Sequence, residues 1–166
     1  MRTGLTLQKS VIILILLLGA GGIFFWDWLI LTDAERVEAR IEQIAEGIRT
    51  NDPDKVLACL DESFQMEAMG PAELHEWHKS VLENMKITRF TVERPQEITR
   101  DEKDSGLMRT GAASTVELSA FPGQPILVKW ELVFRLNGED DWRLRSVRVF
   151  DYNSGTELYP PKMSGR

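Results

Sequence analysis

The chain has 166 residues, one cysteine and a formal charge of −6 from 20 basic and 26 acidic side chains. That length accommodates one modest domain plus an appended segment, and a lone Cys59 excludes both an intramolecular disulfide and a cysteine-based metal site. The acidic balance argues against nucleic acid and anionic lipid, whose surfaces call for clustered Lys and Arg.

Met1 to Lys9 reads as a short tail made basic by Arg2 and Lys9. No charged residue follows until Asp27, and the apolar run resumes as Trp28-Leu29-Ile30-Leu31. As a helix, the stretch from Val11 to Leu31 is about 31 Å long, enough to cross a hydrocarbon core. Phe24, Phe25, Trp26 and Trp28 suit its aqueous interface. A cleaved signal peptide is the competing reading, with Val11–Leu18 as its apolar region and Ala20-Gly21-Gly22 as its cleavage site. The run continues through bulky residues beyond Gly22, which favours an uncleaved anchor over residues 10–31. Arg2 and Lys9 precede it and Asp27, Asp33 and Glu35 follow, so the positive-inside rule leaves residues 1–9 in the cytoplasm. The expectation is a single-pass inner-membrane protein with its domain on the extracytoplasmic side. Setting aside Arg2, Lys9 and Asp27 takes the 20 basic residues to 18 and the 26 acidic to 25, so the outer domain carries −7.

The domain is expected over residues 32–152. Thr32 to Thr50 reads as an amphipathic helix capped by Thr32 or Asp33, with Val37, Ile41, Ile44, Ala45 and Ile48 forming one stripe. Asn51-Asp52-Pro53 starts a second helix, with Asp52 as cap and Pro53 at the first helical position. It is expected to run to about Leu60, burying Val56, Leu57, Cys59 and Leu60, with Phe64 following. Gly70-Pro71-Ala72-Glu73 repeats the signal for a third helix to about Asn84, whose stripe is Leu74, Trp77, Val81, Leu82 and Met85, with His78 beside it.

From Ile87 the period changes to two. Strands are expected over Ile87–Glu93, Leu107–Ala120 (bent at Gly111), Ile126–Leu136 and Trp142–Tyr152, with Thr99–Ser105 a charged loop. On Ile126–Leu136 the residues Ile126, Val128, Trp130, Leu132, Phe134 and Leu136 share an apolar face. Phe121-Pro122-Gly123-Gln124-Pro125 and Asn137-Gly138-Glu139 supply the turns. Setting Ala120 opposite Ile126 pairs Glu117 with Lys129. Setting Leu136 opposite Asp140 pairs Phe134 with Trp142, Leu132 with Leu144, Glu131 with Arg145 and Arg135 with Asp141. Residues 153–166, rich in Gly and Pro, are expected to be irregular.

The resulting expectation is an α+β fold, three N-terminal helices packed on a strongly bent antiparallel sheet and preceded by one transmembrane helix. From Asp33 to Tyr152, through the Asn51-Asp52-Pro53 turn, the segment Val56–Phe64, the helix from Pro71 and the closing WRLRSVRVFDY strand, the chain resembles the nuclear transport factor 2-like superfamily, which includes SnoaL-like proteins and ketosteroid isomerases. The resemblance implies a cone with a pocket between the concave sheet face and the helices. It also implies a homodimer through the outer sheet face, where Leu127, Val133, Val147 and Val149 mix with charged pairs.

Strict alternation places Ser146 and Arg148 on the inner face with Trp142, Leu144 and Phe150, and Met108, Thr110, Ala112, Ser114, Val116 and Leu118 on the inner face of the preceding long strand. Trp77, His78, Trp130, Trp142, Ser146 and Arg148 are therefore the candidate ligand-binding residues. An inward arginine needs an acidic partner or an anionic ligand. In the superfamily's enzymes a pocket carboxylate or histidine abstracts a proton beside a carbonyl. The strands offer no inward Asp or Glu, and Tyr152 and Tyr159 lie at or beyond the sheet's end. His75-Glu76-Trp77-His78 contains both histidines of the chain, too few for a zinc site without further ligands. No catalytic residue, metal or cofactor is expected. The function expected is a membrane-anchored extracytoplasmic interaction or scaffold domain for a protein partner. The alternative is small-ligand binding, or a SnoaL-like isomerase or hydrolase-type enzyme using the cone.

Overall fold

The computed structural model describes residues 32–158 apart from residue 68. The expected anchor over 10–31 and the end of the chain from 159 to 166 lie outside the described residues. Among the described residues no helix is long and apolar enough to cross a membrane.

Helix α1 (Asp33–Arg49) buries Val37, Ile41 and Ala45 of the stripe its three-to-four spacing predicts, with Ile44 and Ile48 half-buried and Gly47 buried outside it. Asp52 then caps α2 (Pro53–Leu57), accepting the Lys55 N–H at 3.2 Å, with Pro53 in the first turn. The two helices meet at Gly47, where an added Cβ would stand 2.9 Å from Val56 Cγ2. Glu73 reaches back to the Gly70 N–H at 3.1 Å and starts α3 (Pro71–Asn84).

The strands are β1 (Leu60–Gln65), β2 (Ile87–Val92), β3 (Thr99–Arg100), β4 (Leu107–Leu118), β5 (Ile126–Asn137), β6 (Asp141–Asp151) and β7 (Glu157–Leu158). They form one sheet in the order β1-β6-β5-β4-β2, with β3 added on β4 and β7 on β6. Val37, Phe64, Phe134 and Trp142 are almost fully buried between its inner face and the helices, with Ile41, Leu132 and Leu144 around them.

The structure corrects the expected strand directions, element ends and register. The sheet is mixed, because β1 runs parallel to β6, pairing Leu60 with Leu144 and Gln65 with Ser146. The second helix does not reach Leu60, since α2 stops at Leu57: the Leu144 N–H donates to the Cys59 carbonyl at 3.0 Å, and sheet pairing wins over continued helix. The stretch after Tyr152 is not all irregular either. The Asp151 carboxylate accepts the N–H groups of Asn153 and Ser154, closing a turn that Gly155 completes at φ 67°. The chain then returns along β6, pairing Glu157 with Phe150 and Leu158 with Val149.

The register differs at both hairpins. Val116, not Ala120, faces Ile126, because the connection folds its own Phe121–Gln124 turn with Gly123 at φ 75°. Glu117 accordingly sits opposite Arg89 of β2 and ion-pairs with it at 3.4 Å, while Lys129 faces Ala113. At the next hairpin Gly138, at φ 76°, allows a turn that places Asn137 opposite Asp141 and Leu136 opposite Trp142. Phe134 then faces Leu144 while Val133 faces Ser146, so Arg145 has no partner on β5. This one-residue bulge exchanges the faces of β6. Trp142 and Leu144 are buried before it, Val147 and Val149 after it. Leu132 meets Val147, Glu131 meets Arg148, and Arg135 meets Arg143 rather than Asp141. Ser146 and Arg148 therefore turn to the outer face, while Val147 and Val149, expected outside, line the core.

Candidate functional site

The six candidate residues do not converge on one pocket. Trp142, 1% exposed, is core, and its Nε1–H donates to Asp33 Oδ1 at 3.2 Å. Burial pushes the Asp33 carboxyl up, but the hydrogen bonds from Trp142, Arg100 and Arg36 outweigh it and hold the group below its ordinary 3.8. Trp130 is half-buried on the inner face and donates from Nε1 to Ser114 Oγ at 2.7 Å. Trp77 and His78 are half-buried on α3. Burial first, and the neighbouring His75 second, hold the His78 imidazole below its ordinary 6.5. His75 itself joins α3 to α2 through Asp54 Oδ1 at 2.9 Å. Among the described residues no buried side-chain nitrogen or oxygen lacks a partner.

Ser146 and Arg148 share a groove on the edge of β6, between the end of β1 and β7. Its volume is about 300 Å³ and its lining includes Gln65, Met66, Glu67, Val147, Val149, Glu157 and Leu158. Arg148 is paired within the protein. Glu157 takes its Nε and Nη2 hydrogens at 2.8 and 2.9 Å in a forked pair, and Glu131 takes Nη1 at 3.0 Å. Phe150 lies under the guanidinium, 5.0 Å from its ring centre. An incoming anion would have to displace two carboxylates from this guanidinium.

A second groove, of about 460 Å³, opens at the β5–β6 hairpin. Its residues escape a reading of the sequence because they come from three strands. Asp61, only 4% exposed, forms part of its lining. The Ser63 N–H reaches Asp61 Oδ1 at 2.8 Å, the Ser63 hydroxyl joins the same oxygen, and the Asn137 amide donates to Oδ2 at 2.7 Å. Burial pushes the Asp61 carboxyl up, yet these bonds, with Arg135 nearby, hold it below 3.8. Asp141 lies between Arg40 Nη2 and Arg143 Nε, each at 2.6 Å. Arg143 and Arg135 stand directly opposite across the ladder. Among the described residues no group of His, Cys, Asp and Glu is arranged to hold a metal ion.

No family model matches the sequence, and no curated protein matches it. Many solved structures resemble the chain in fold, among them the following three. Aln2 from a Streptomyces species does so with a TM-score of 0.56 at 11% identity, over 72% of this chain and 92% of that one. A ketosteroid isomerase-like protein from Erwinia carotovora atroseptica gives 0.55 at 16% identity, over 74% and 94%. Bd1075 from Bdellovibrio bacteriovorus gives 0.55 at 12% identity over 68% of this chain, which spans only 39% of Bd1075. Identities this low establish architecture and no activity. The domain shares with these structures an α+β fold, three helices on a mixed sheet.

Proposed function

We propose that the chain is a non-catalytic interaction domain, carried outside the cytoplasm by a membrane anchor over residues 10–31, and that its partners are protein surfaces. The observation that carries this reading is where the exposed apolar side chains gather. Phe121, Ile126 and Leu127 belong to the β4–β5 hairpin and its entry into β5, and Tyr152 lies beside them, its N–H donating to the Leu127 carbonyl at 3.2 Å. Concentrated exposed apolar surface of this kind marks interaction sites. The aromatic filling of the interior and the paired state of Arg148 point the same way. A second copy of the chain is a suitable partner. On the outer face Leu127 and Val133 flank Lys129 and Glu131, so two copies can set opposite charges against each other.

Native mass spectrometry of the chain purified from its natural host tests this reading. The expected spectrum contains a protein complex, a homodimer included, that Leu127→Glu dissociates, and it is unaffected by Arg148→Ala. A small molecule that co-purifies with the wild-type chain, without any protein complex, would overturn it. A second reading, a SnoaL-like enzyme, draws on His78: a half-buried imidazole held neutral can act as a general base. Here His78→Gln would abolish turnover of a carbonyl substrate while leaving its binding intact.

A further inference from the structure

We infer that the groove at the β5–β6 hairpin is a binding site for a small anion bearing a carboxylate or a phosphate group, held by Arg135 and Arg143. The first argument is the placement of these two side chains. They are direct partners across an antiparallel ladder, an arrangement in which like charges repel. The repulsion is only partly relieved within the protein. Arg143 donates from Nε to Asp141, but Asp141 also serves Arg40. Among the described residues the Arg135 guanidinium makes no hydrogen bond and no close ion pair, and its charge acts on Asp61 from a distance. One guanidinium thus keeps its donors open and its neighbour is half-used, side by side on the wall of a groove of about 460 Å³.

The second argument is the state of the carboxylates in the same groove. Asp61 has both oxygens occupied by the Ser63 and Asn137 donors, and Asp141 has both occupied by arginines. Glu62 remains, and its charge acts on Arg143. With Arg40 included, three cations face three anions, so the site has no net charge to repel an anion. The donors left over are guanidinium N–H groups. Such groups match a carboxylate or phosphate through paired, parallel hydrogen bonds. Asn137 and Gly138 line the groove at its turn end. This site is separate from the apolar hairpin at the other end of β5 and does not depend on the interaction reading.

The test follows the thermal unfolding of the full-length chain by tryptophan fluorescence, in sodium phosphate, sodium acetate and sodium chloride at matched ionic strength. The expected result is a saturable rise in midpoint with phosphate or acetate relative to chloride. A rise with phosphate alone identifies the phosphate-bearing class, and a rise with acetate alone the carboxylate class. With each protein referred to its own midpoint in chloride, Arg135→Gln should raise the half-saturating anion concentration about tenfold, the effect of losing one charge-assisted hydrogen-bonding partner. Arg135→Lys, which keeps the charge but not the fork, should lie between. No anion-specific rise, or a rise that both variants retain in full, overturns the inference.

Discussion

Asn51 adopts φ 52°, a left-handed conformation that asparagine tolerates better than most residues. In that conformation its side chain behaves as a short piece of strand. Nδ2 donates to the Ile87 carbonyl at 3.1 Å and Oδ1 accepts the Ile87 N–H at 3.0 Å. Arg49 Nε adds a bond to the Phe90 carbonyl at 3.2 Å. Together the two side chains occupy the outer edge of β2, which would otherwise offer open backbone to another chain. Asn51→Ala should cost about 2–4 kcal/mol, from two lost hydrogen bonds and a strained alanine backbone. Urea unfolding would measure this, with Asn51→Gly as the control that loses the bonds without the strain. The sequence marks Asn51-Asp52-Pro53 as a helix start, and Asp52 and Pro53 perform that role. The part played by Asn51 is hidden there because its partner lies 36 residues along the chain.

At the scale of elements, the single residue Arg145 decides which side chains of β6 meet the core. The alternation of Ile126–Asn137 is legible in the sequence, and Val128, Leu132 and Phe134 are buried as its period requires, whereas Ile126, expected on the same face, starts the strand beyond the core and is exposed. The inner face of β4 is equally legible in Met108, Thr110, Ala112 and Ser114. The alternation of β6 is not, because a bulge has no compositional signature and both candidate faces beyond Arg145 carry apolar residues. Unbroken alternation therefore points Arg148 inward, although its actual partner Glu157 lies in a stretch whose composition reads as irregular. The parallel strand β1 escapes for a related reason, since Leu60–Gln65 is too short to declare its period. Deleting Arg145 should remove the bulge and leave the facing of β6 as it is, with Ser146 still opposite Val133, Val147 opposite Leu132 and Arg148 opposite Glu131. Trp142, Leu144, Val147 and Val149 then stay in the core in one unbroken alternation. Circular dichroism should show a cooperative unfolding transition for the deletion and for Arg145→Ala alike, and its loss in the deletion would mean that the bulge itself is needed.

Across the whole domain, titration sets two separate limits on stability. His78 is held below its ordinary value in the folded state, so the unfolded chain takes up its proton first. The associated stability is intact above about pH 6.5 and declines as the pH falls toward the folded-state value. Asp33 and Asp61 are also held low, but as carboxylates their contribution is intact above their ordinary 3.8 and is lost only as the pH falls through their folded-state values. Unfolding free energies measured by urea at steps from pH 8 to pH 3 should therefore fall in two stages. His78→Gln should flatten the first stage and leave the second unchanged, whereas Asp61→Asn should reduce the second alone.

The place where the chain enters the domain has a consequence for reach. Asp33 lies against Trp142, and Arg36, one turn later, pairs with Asp140, so entry is at the β5–β6 hairpin. The β4–β5 hairpin, carrying Phe121, Ile126 and Leu127, is at the other end of a 12-residue strand, roughly 36 Å away. Measured from Asp33, the groove with Arg135 and Arg143 is then the near surface of the domain and the apolar hairpin the far one. The two are far enough apart for one domain to engage an anion and a protein surface at the same time, neither displacing the other.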